Sequence, residues 1–216
     1  MEQVIQFSIY IHAFLGGIGL ISGIANVILK KGNTPHKILG KIFSYAMIFS
    51  SLISLIIARM PNHKNLFLFL IGLFTIYMIL SGNRALTLKS KTKLKADAID
   101  KSISGVMFFI SIIMTLIGVI GSIQKVDNSI LYLFFGGFGI FMTLKDFQTF
   151  KTFTKNKNAW IKSHIGRMIG ALIAAVTAFI VAGLQIKTVI AWIIPTLIGT
   201  LYIVYWNKKF KPITRK

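Results

Sequence analysis

Nearly all the acid–base and metal-binding capacity of this chain rests on nine side chains: His12, His36, His63 and His164, with Glu2, Asp97, Asp100, Asp127 and Asp146. A neutral imidazole can bind a metal or a haem iron. Two imidazoles and a carboxylate can complete a divalent-metal site. His36, His164 and Asp146 are the candidates for that chemistry, and haem or a divalent metal would be the cofactor. Cysteine is absent, which excludes thiolate ligands, thiol nucleophiles and disulfides. The chain has no nucleophile elbow, P-loop or HExxH motif, so no enzyme activity is read from it.

The positions of these residues sharpen the choice. Thr34 and Pro35 suit an N-cap and a first helical residue ahead of His36, and Ser163 suits an N-cap ahead of His164. A helix N-terminus disfavours imidazolium, so both rings are expected to be neutral. The plainer reading is two interfacial histidines bonded to headgroups or loop carbonyls. His12 stands about eight residues into an apolar run, roughly 12 Å along a helix. An ionisable group there is costly. It is either a ligand or proton carrier, or a neutral ring bonded to a neighbouring helix, and the second reading is favoured. With Asn26 and Tyr132 it marks a candidate intramembrane polar site. His63, in the segment MPNHKN, reads as solvated. Arg84, Asp97, Asp100, Asp146 and Arg167 gather at run ends on one side, and an ion-pair network tying helix ends together is preferred there over a metal site.

The elements that must position these groups are apolar. Hydrophobic residues make up 55% of the 216 residues and charged ones 14%, against about 25% charged in a soluble domain. Seven apolar runs, at about 4–29, 38–58, 66–83, 103–123, 129–144, 166–186 and 188–206, are long enough or nearly so to cross about 30 Å of hydrocarbon. The first has no Lys or Arg before it, so it is expected to be a retained span and not a cleaved signal. Of the 25 Lys and Arg, 21 fall in alternate connections and the C-terminal tail. Arg59, Lys64, Lys125 and Lys187 fall on the opposite side. That asymmetry predicts N-outside, C-inside topology in an inner, cytoplasmic membrane. The formal charge of +20 is therefore a topology signal and not a nucleic-acid surface, which would cluster its cations on one face. Basic loops also suit anionic lipid headgroups. Pro195 is expected to kink the last span or to free a carbonyl near Trp192 and Thr196.

Spans 1 and 5 share a pattern at an offset of 120 residues. His12, Gly16, Gly19, Gly23 and Asn26 fall on one helix face, and so do Tyr132, Gly136, Gly139, Thr143 and Asp146. Each face runs polar, small, small, small, polar. Each helix leads through a basic loop to a helix opening with His, then Gly, then a cation. The expected architecture is an all-α bundle forming one polytopic domain. It would hold two parallel repeats, about 4–84 and 129–206, joined by a connector span at about 103–123. Small residues allow close helix approach in lipid. Gly16, Gly19, Gly23, Gly136, Gly139, Gly166 and Gly170 are expected to pack helices, with spans 1, 5 and 6 near the centre.

Lys31-Gly32 followed by His36-Lys-Ile-Leu-Gly40-Lys41 resembles a signature of the prokaryotic membrane proteins that share domain of unknown function 2306. Ser81-Gly-Asn-Arg84-Ala-Leu, Lys145-Asp146 and Trp160-Ile-Lys-Ser-His164-Ile-Gly-Arg167-Met resemble other stretches of that family. The resemblance covers most of the chain, implies a polytopic membrane fold and brings no activity with it. A looser similarity is to small haem-type or oxidase-assembly membrane proteins. A two-haem bundle needs two histidine pairs at matched depths, and His12 has no partner at its depth. The functional expectation is a membrane scaffold or accessory protein, with no protein partner specified. The alternatives are a haem or metal protein using His36 and His164, and a small-molecule transporter with its path between the glycine faces near His12.

Overall fold

The computed structural model describes residues 2–186 and 188–210. Lys187, Lys211, Arg215 and Lys216, which enter the charge asymmetry, lie outside that range. Seven helices follow one another: α1 (Glu2–Ile28), α2 (Thr34–Ile57), α3 (Leu66–Ala85), α4 (Ala98–Ile123), α5 (Ser129–Thr152), α6 (Ala159–Ala178) and α7 (Val189–Lys209). A 3-10 turn, Leu86–Lys89, extends α3, and a π turn, Phe179–Gly183, extends α6. There is no strand among the described residues. All seven helices are long and apolar enough to cross a membrane, which makes this a multi-pass membrane protein.

Helix ends do not coincide with the ends of the apolar runs. Asn33, not Thr34, caps α2: its Oδ1 accepts from His36 N at 2.9 Å. Asp97 caps α4, accepting from Asp100 N at 3.0 Å, while Asp100 Oδ2 accepts from Asp97 N at 3.2 Å. This capping box satisfies two otherwise orphaned donors. It starts α4 five residues before the apolar run. α5 runs on through Lys145 and Asp146 to Thr152, so the shortest apolar run becomes a 24-residue helix. α6 begins at Ala159, which puts Ser163 inside the helix and His164 in its second turn. Neither is then a first-turn residue. α7 carries Pro195 internally, and the Thr196 hydroxyl bonds Trp192 O at 3.2 Å.

The α4–α5 turn is tight. Val126 N bonds Gly121 O at 2.8 Å and Lys125 N bonds Ser122 O at 3.3 Å. Lys125 takes the left-handed conformation (φ 56°) usual for glycine. This is a Schellman closure, and it turns the chain back at once along α4. The α1–α2 turn uses Gly32 at φ 83°, where a side chain would be strained.

Two compact units emerge. One holds the chain up to Ile79 together with Gly166–Trp206, and the other holds Leu80–Ile165 with the segment from Asn207. The division cuts α3, α6 and α7 and does not follow the repeat boundaries. α3 has the largest share of buried residues, half of its apolar window, whereas α1 has 11%.

Candidate functional site

In the first unit the glycine face of α1 is filled mainly by α2, with Leu172 of α6 at its Gly23 end. A Cβ on Gly19 would lie 2.8 Å from Met47 Cγ, and one on Gly23 would lie 2.8 Å from Leu172 Cδ1 on α6 and 2.9 Å from Phe43 Cδ2. Gly16 stands against Ser50 Oγ at an ordinary 3.4 Å. The polar ends of the face finish on the same helix. His12 Nδ1 lies 2.9 Å from Ser50 O, and the Ser50 hydroxyl donates to His12 O at 3.0 Å. A carbonyl only accepts, so Nδ1 carries the proton. Ser50 Oγ is also 3.0 Å from Nδ1, but its hydrogen is directed at a carbonyl. The pair is therefore not an activated Ser–His nucleophile, which needs a basic nitrogen facing the hydroxyl. At the other end the Asn26 amide, oriented to satisfy both neighbours, donates to His36 O at 3.1 Å and accepts from Gly40 N at 2.8 Å.

Lys31, in the connection between α1 and α2, closes the end of α1. Its Nζ donates to Asn26 O, Val27 O and Leu29 O at 2.8, 2.7 and 2.8 Å. It also lies 5.7 Å from the ring centres of Tyr202 and Trp206 on α7. Orphan carbonyls at a helix C-terminus attract such a cation. Arg167 belongs to this unit too, buried with its guanidinium 5.7 Å from the Tyr77 ring. Gly170 packs against Met78. Gly166 does not share that role: a Cβ there would meet no atom within 4 Å. Its four-residue spacing from Gly170 is correct for a packing motif, but no neighbour fills the position.

In the second unit α5 turns its glycine face to α4. A Cβ on Gly136 would lie 2.6 Å from Thr115 N, and Gly139 meets Ser111. Thr143 is fully buried, its hydroxyl bonding Gly139 O at 2.9 Å. Asp146, 3% exposed, accepts from the Ser104 hydroxyl at 2.9 Å. Tyr132, one turn beyond Gly136, is half-buried. The complementary face of α4 is Asp100, Ser104, Met107, Ser111, Met114 and Gly118, all buried. Its 4,3,4,3,4 spacing is the signal that marked α1 and α5. The same spacing marks α4 as a packed helix and not only a connector between the two repeats. Matching faces thus meet different partners: α1 packs mainly on the helix that follows it, with Leu172 of α6 at Gly23, and α5 on the helix that precedes it.

The ion-pair network lies at the start of α4. Arg84 Nε donates to Asp100 Oδ1 at 2.7 Å, and Arg84 Nη2 pairs with Asp97 Oδ2. Lys93 Nζ reaches Asp97 Oδ2 at 3.0 Å and Asp100 Oδ2 at 2.6 Å. Arg84, Asp97 and Asp100 are three of the five residues expected in the network with Asp146 and Arg167, and Lys93 joins them. Hydrogen bonds from Asp100 N and Lys93, with the Arg84 guanidinium, hold the Asp97 carboxyl well below the usual carboxylate range. Beneath the network lies a narrow cavity lined by Ser81, Arg84, Asp100, Ser104, Asp146 and Ser163, among others. Its water-accessible space of about 10 Å³ is about enough for one water molecule.

His164 Nδ1 lies 2.9 Å from Gly82 O, so this ring also donates from Nδ1. The His36 ring is half-buried and interacts with the Asn26 backbone. His36 and His164 fall in different units. Among the described residues no three His, Asp or Glu side chains gather as a metal ion needs. Comparison with protein-family models, curated proteins and solved structures finds no match to this chain.

Proposed function

We propose that this protein is a non-catalytic scaffold or accessory protein of a cell membrane, and that its intramembrane polar groups are joints between helices. One observation carries the reading: three of the four polar ends of the two glycine faces are bonded to the adjacent helix. His12 ends on Ser50, Asn26 on His36 and Gly40, and Asp146 on Ser104. Both faces are packed, that of α1 against α2 and Leu172 of α6, that of α5 against α4. The Arg84–Lys93–Asp97–Asp100 network supports the same reading, because each of its carboxylates is held by two cations. The reading includes N-outside, C-inside topology on the Lys and Arg asymmetry, and an α1–α5 duplication on the matched faces. It also includes membership of the domain of unknown function 2306 family on the quoted stretches.

The competing reading is a haem or metal centre at His36, His164 and Asp146. Absorbance spectra and elemental analysis of protein made with haem precursor and metals supplied separate the two. A colourless, metal-free, folded protein is expected. Stoichiometric haem or metal, lost in His36→Ala or His164→Ala, would overturn the proposal.

A further inference from the structure

The two basic loops of the second unit are built into one surface. Leu88, Phe153 and Ala159 are buried together and Trp160 packs against them. The segment after α3 is thereby fastened to the α5–α6 turn. Lys89 holds its ammonium 5.1 Å from the centre of the Trp160 ring. Lys93 pins the remainder of the first loop, with its Nζ 2.9 Å from Thr87 Oγ1 as well as on Asp97 and Asp100.

Those contacts also decide the charge left over. The carboxylates of Asp97 and Asp100 are held by Arg84 and Lys93. Lys89, Lys91, Lys95, Lys151, Lys155 and Lys157 are all exposed. Among the described residues none of the six pairs with a carboxylate. Ammonium groups held on a braced surface repel one another, and that repulsion is relieved by anions. A topology signal needs only the number of cations near a span. It does not need two loops fastened by a common apolar cluster, nor the local acids taken up by other cations.

Location selects the anion. Lys89 ends the turn after α3, Lys91 and Lys95 lie in the loop leading to α4, Lys151 lies at the end of α5, and Lys155 and Lys157 lie in the turn leading to α6. In helices that cross a bilayer, these are the levels where hydrocarbon gives way to headgroups. The half-buried Trp160 suits the same depth. Clusters of about four to eight cations beside a span attract anionic lipid. We propose that this surface binds the phosphate headgroups of anionic phospholipids in the leaflet it faces.

The test uses the full chain in detergent with equimolar phosphatidylglycerol and phosphatidylcholine, and counts each lipid retained after washing. At low salt the unaltered protein is expected to retain phosphatidylglycerol at least about threefold over phosphatidylcholine, with the preference fading at high salt. Combining Lys91→Gln, Lys95→Gln, Lys155→Gln and Lys157→Gln should bring the ratio to parity, and arginine at the same four positions should restore it. Combining Lys30→Gln, Lys37→Gln, Lys41→Gln and Lys208→Gln removes equal charge elsewhere and should leave the preference standing. Circular dichroism checks that each variant folds. Parity in the unaltered protein, or equal loss in both glutamine variants, overturns the proposal. So does parity accompanied by binding of a short RNA or polyglutamate that the first variant loses, because the occupant would then come from solution.

Discussion

The Ser104 hydroxyl donates to the Asp146 carboxylate at 2.9 Å and joins α4 to α5 where both helices turn polar. Asp146 is 3% exposed, and a buried carboxylate stripped of a donor is costly. Ser104→Ala is expected to destabilise the protein by about 1–3 kcal/mol. Thermal unfolding in detergent, followed by circular dichroism, reads the loss. An unchanged midpoint would mean that the bond does not hold the hairpin.

The glycines divide by what surrounds them. A Cβ on Gly136 or Gly118 would meet backbone at 2.6 Å, Thr115 N and Leu133 N respectively. Backbone cannot swing aside, so Gly136→Ala and Gly118→Ala should each cost about 1–3 kcal/mol. Gly19 faces the flexible Met47 side chain, so Gly19→Ala should cost less. Gly17, Gly137 and Gly166 meet nothing within 4 Å. Alanine there should be neutral or stabilising by up to about 1 kcal/mol, because it removes glycine's entropic cost in a helix. Melting midpoints that ignore this ordering would count against the packing.

These faces mark the extent of what could be read from the residues. The 4,3,4,3 spacing of His12, Gly16, Gly19, Gly23 and Asn26 identified a buried side, because helical periodicity reports which face is covered. It does not report which helix covers it. α2 and α4 became the partners through tight turns that return each chain antiparallel, and the Schellman closure at Lys125 carries no glycine to announce it. Hydropathy located seven helices but not their ends. α4, α5 and α6 run past the apolar windows because capping and hydrogen bonding end a helix, and burial in lipid does not. The Asp97–Asp100 capping box and the Lys93 pairing depend on a loop that folds back, which spacing alone cannot place.

Acid should act on the network at Asp97 in a defined direction. The folded carboxyl titrates below its unfolded value, which is about 3.9. Its contribution is therefore fully present above that value and is lost as pH falls through the lower folded one. Asp97→Ala should cost about 1 kcal/mol at neutral pH through the lost cap. The gap to the unaltered protein should narrow only below about pH 4. Melting midpoints measured against pH check this, and a gap that closes between pH 7 and 5 would point to another group.

Lys31 ties the end of α1 to α7 through three carbonyls and two rings. Lys31→Met keeps the length and removes the charge. It should destabilise by about 1–2 kcal/mol and shift the emission of Trp206. The shift is best read with Trp160 and Trp192 replaced by Phe. Unchanged emission and stability would show that the cap is dispensable.

The most direct test of polar faces as joints uses the absence of cysteine. Ser111→Cys and Gly139→Cys place two thiols across the α4–α5 interface, where Ser111 Cβ stands 3.1 Å from a Cβ built on Gly139. That is short of the usual disulfide separation of about 3.5–4.5 Å, so the two helices must part by a few tenths of an ångström to accept the bond. With a protease site inserted in the α4–α5 turn, mild oxidation in native membranes should leave the cleaved halves joined until reductant is added. Halves that separate without reductant, while a cysteine at 139 links readily to one on α6, would contradict the account and put the glycine face of α5 on the helix that follows it.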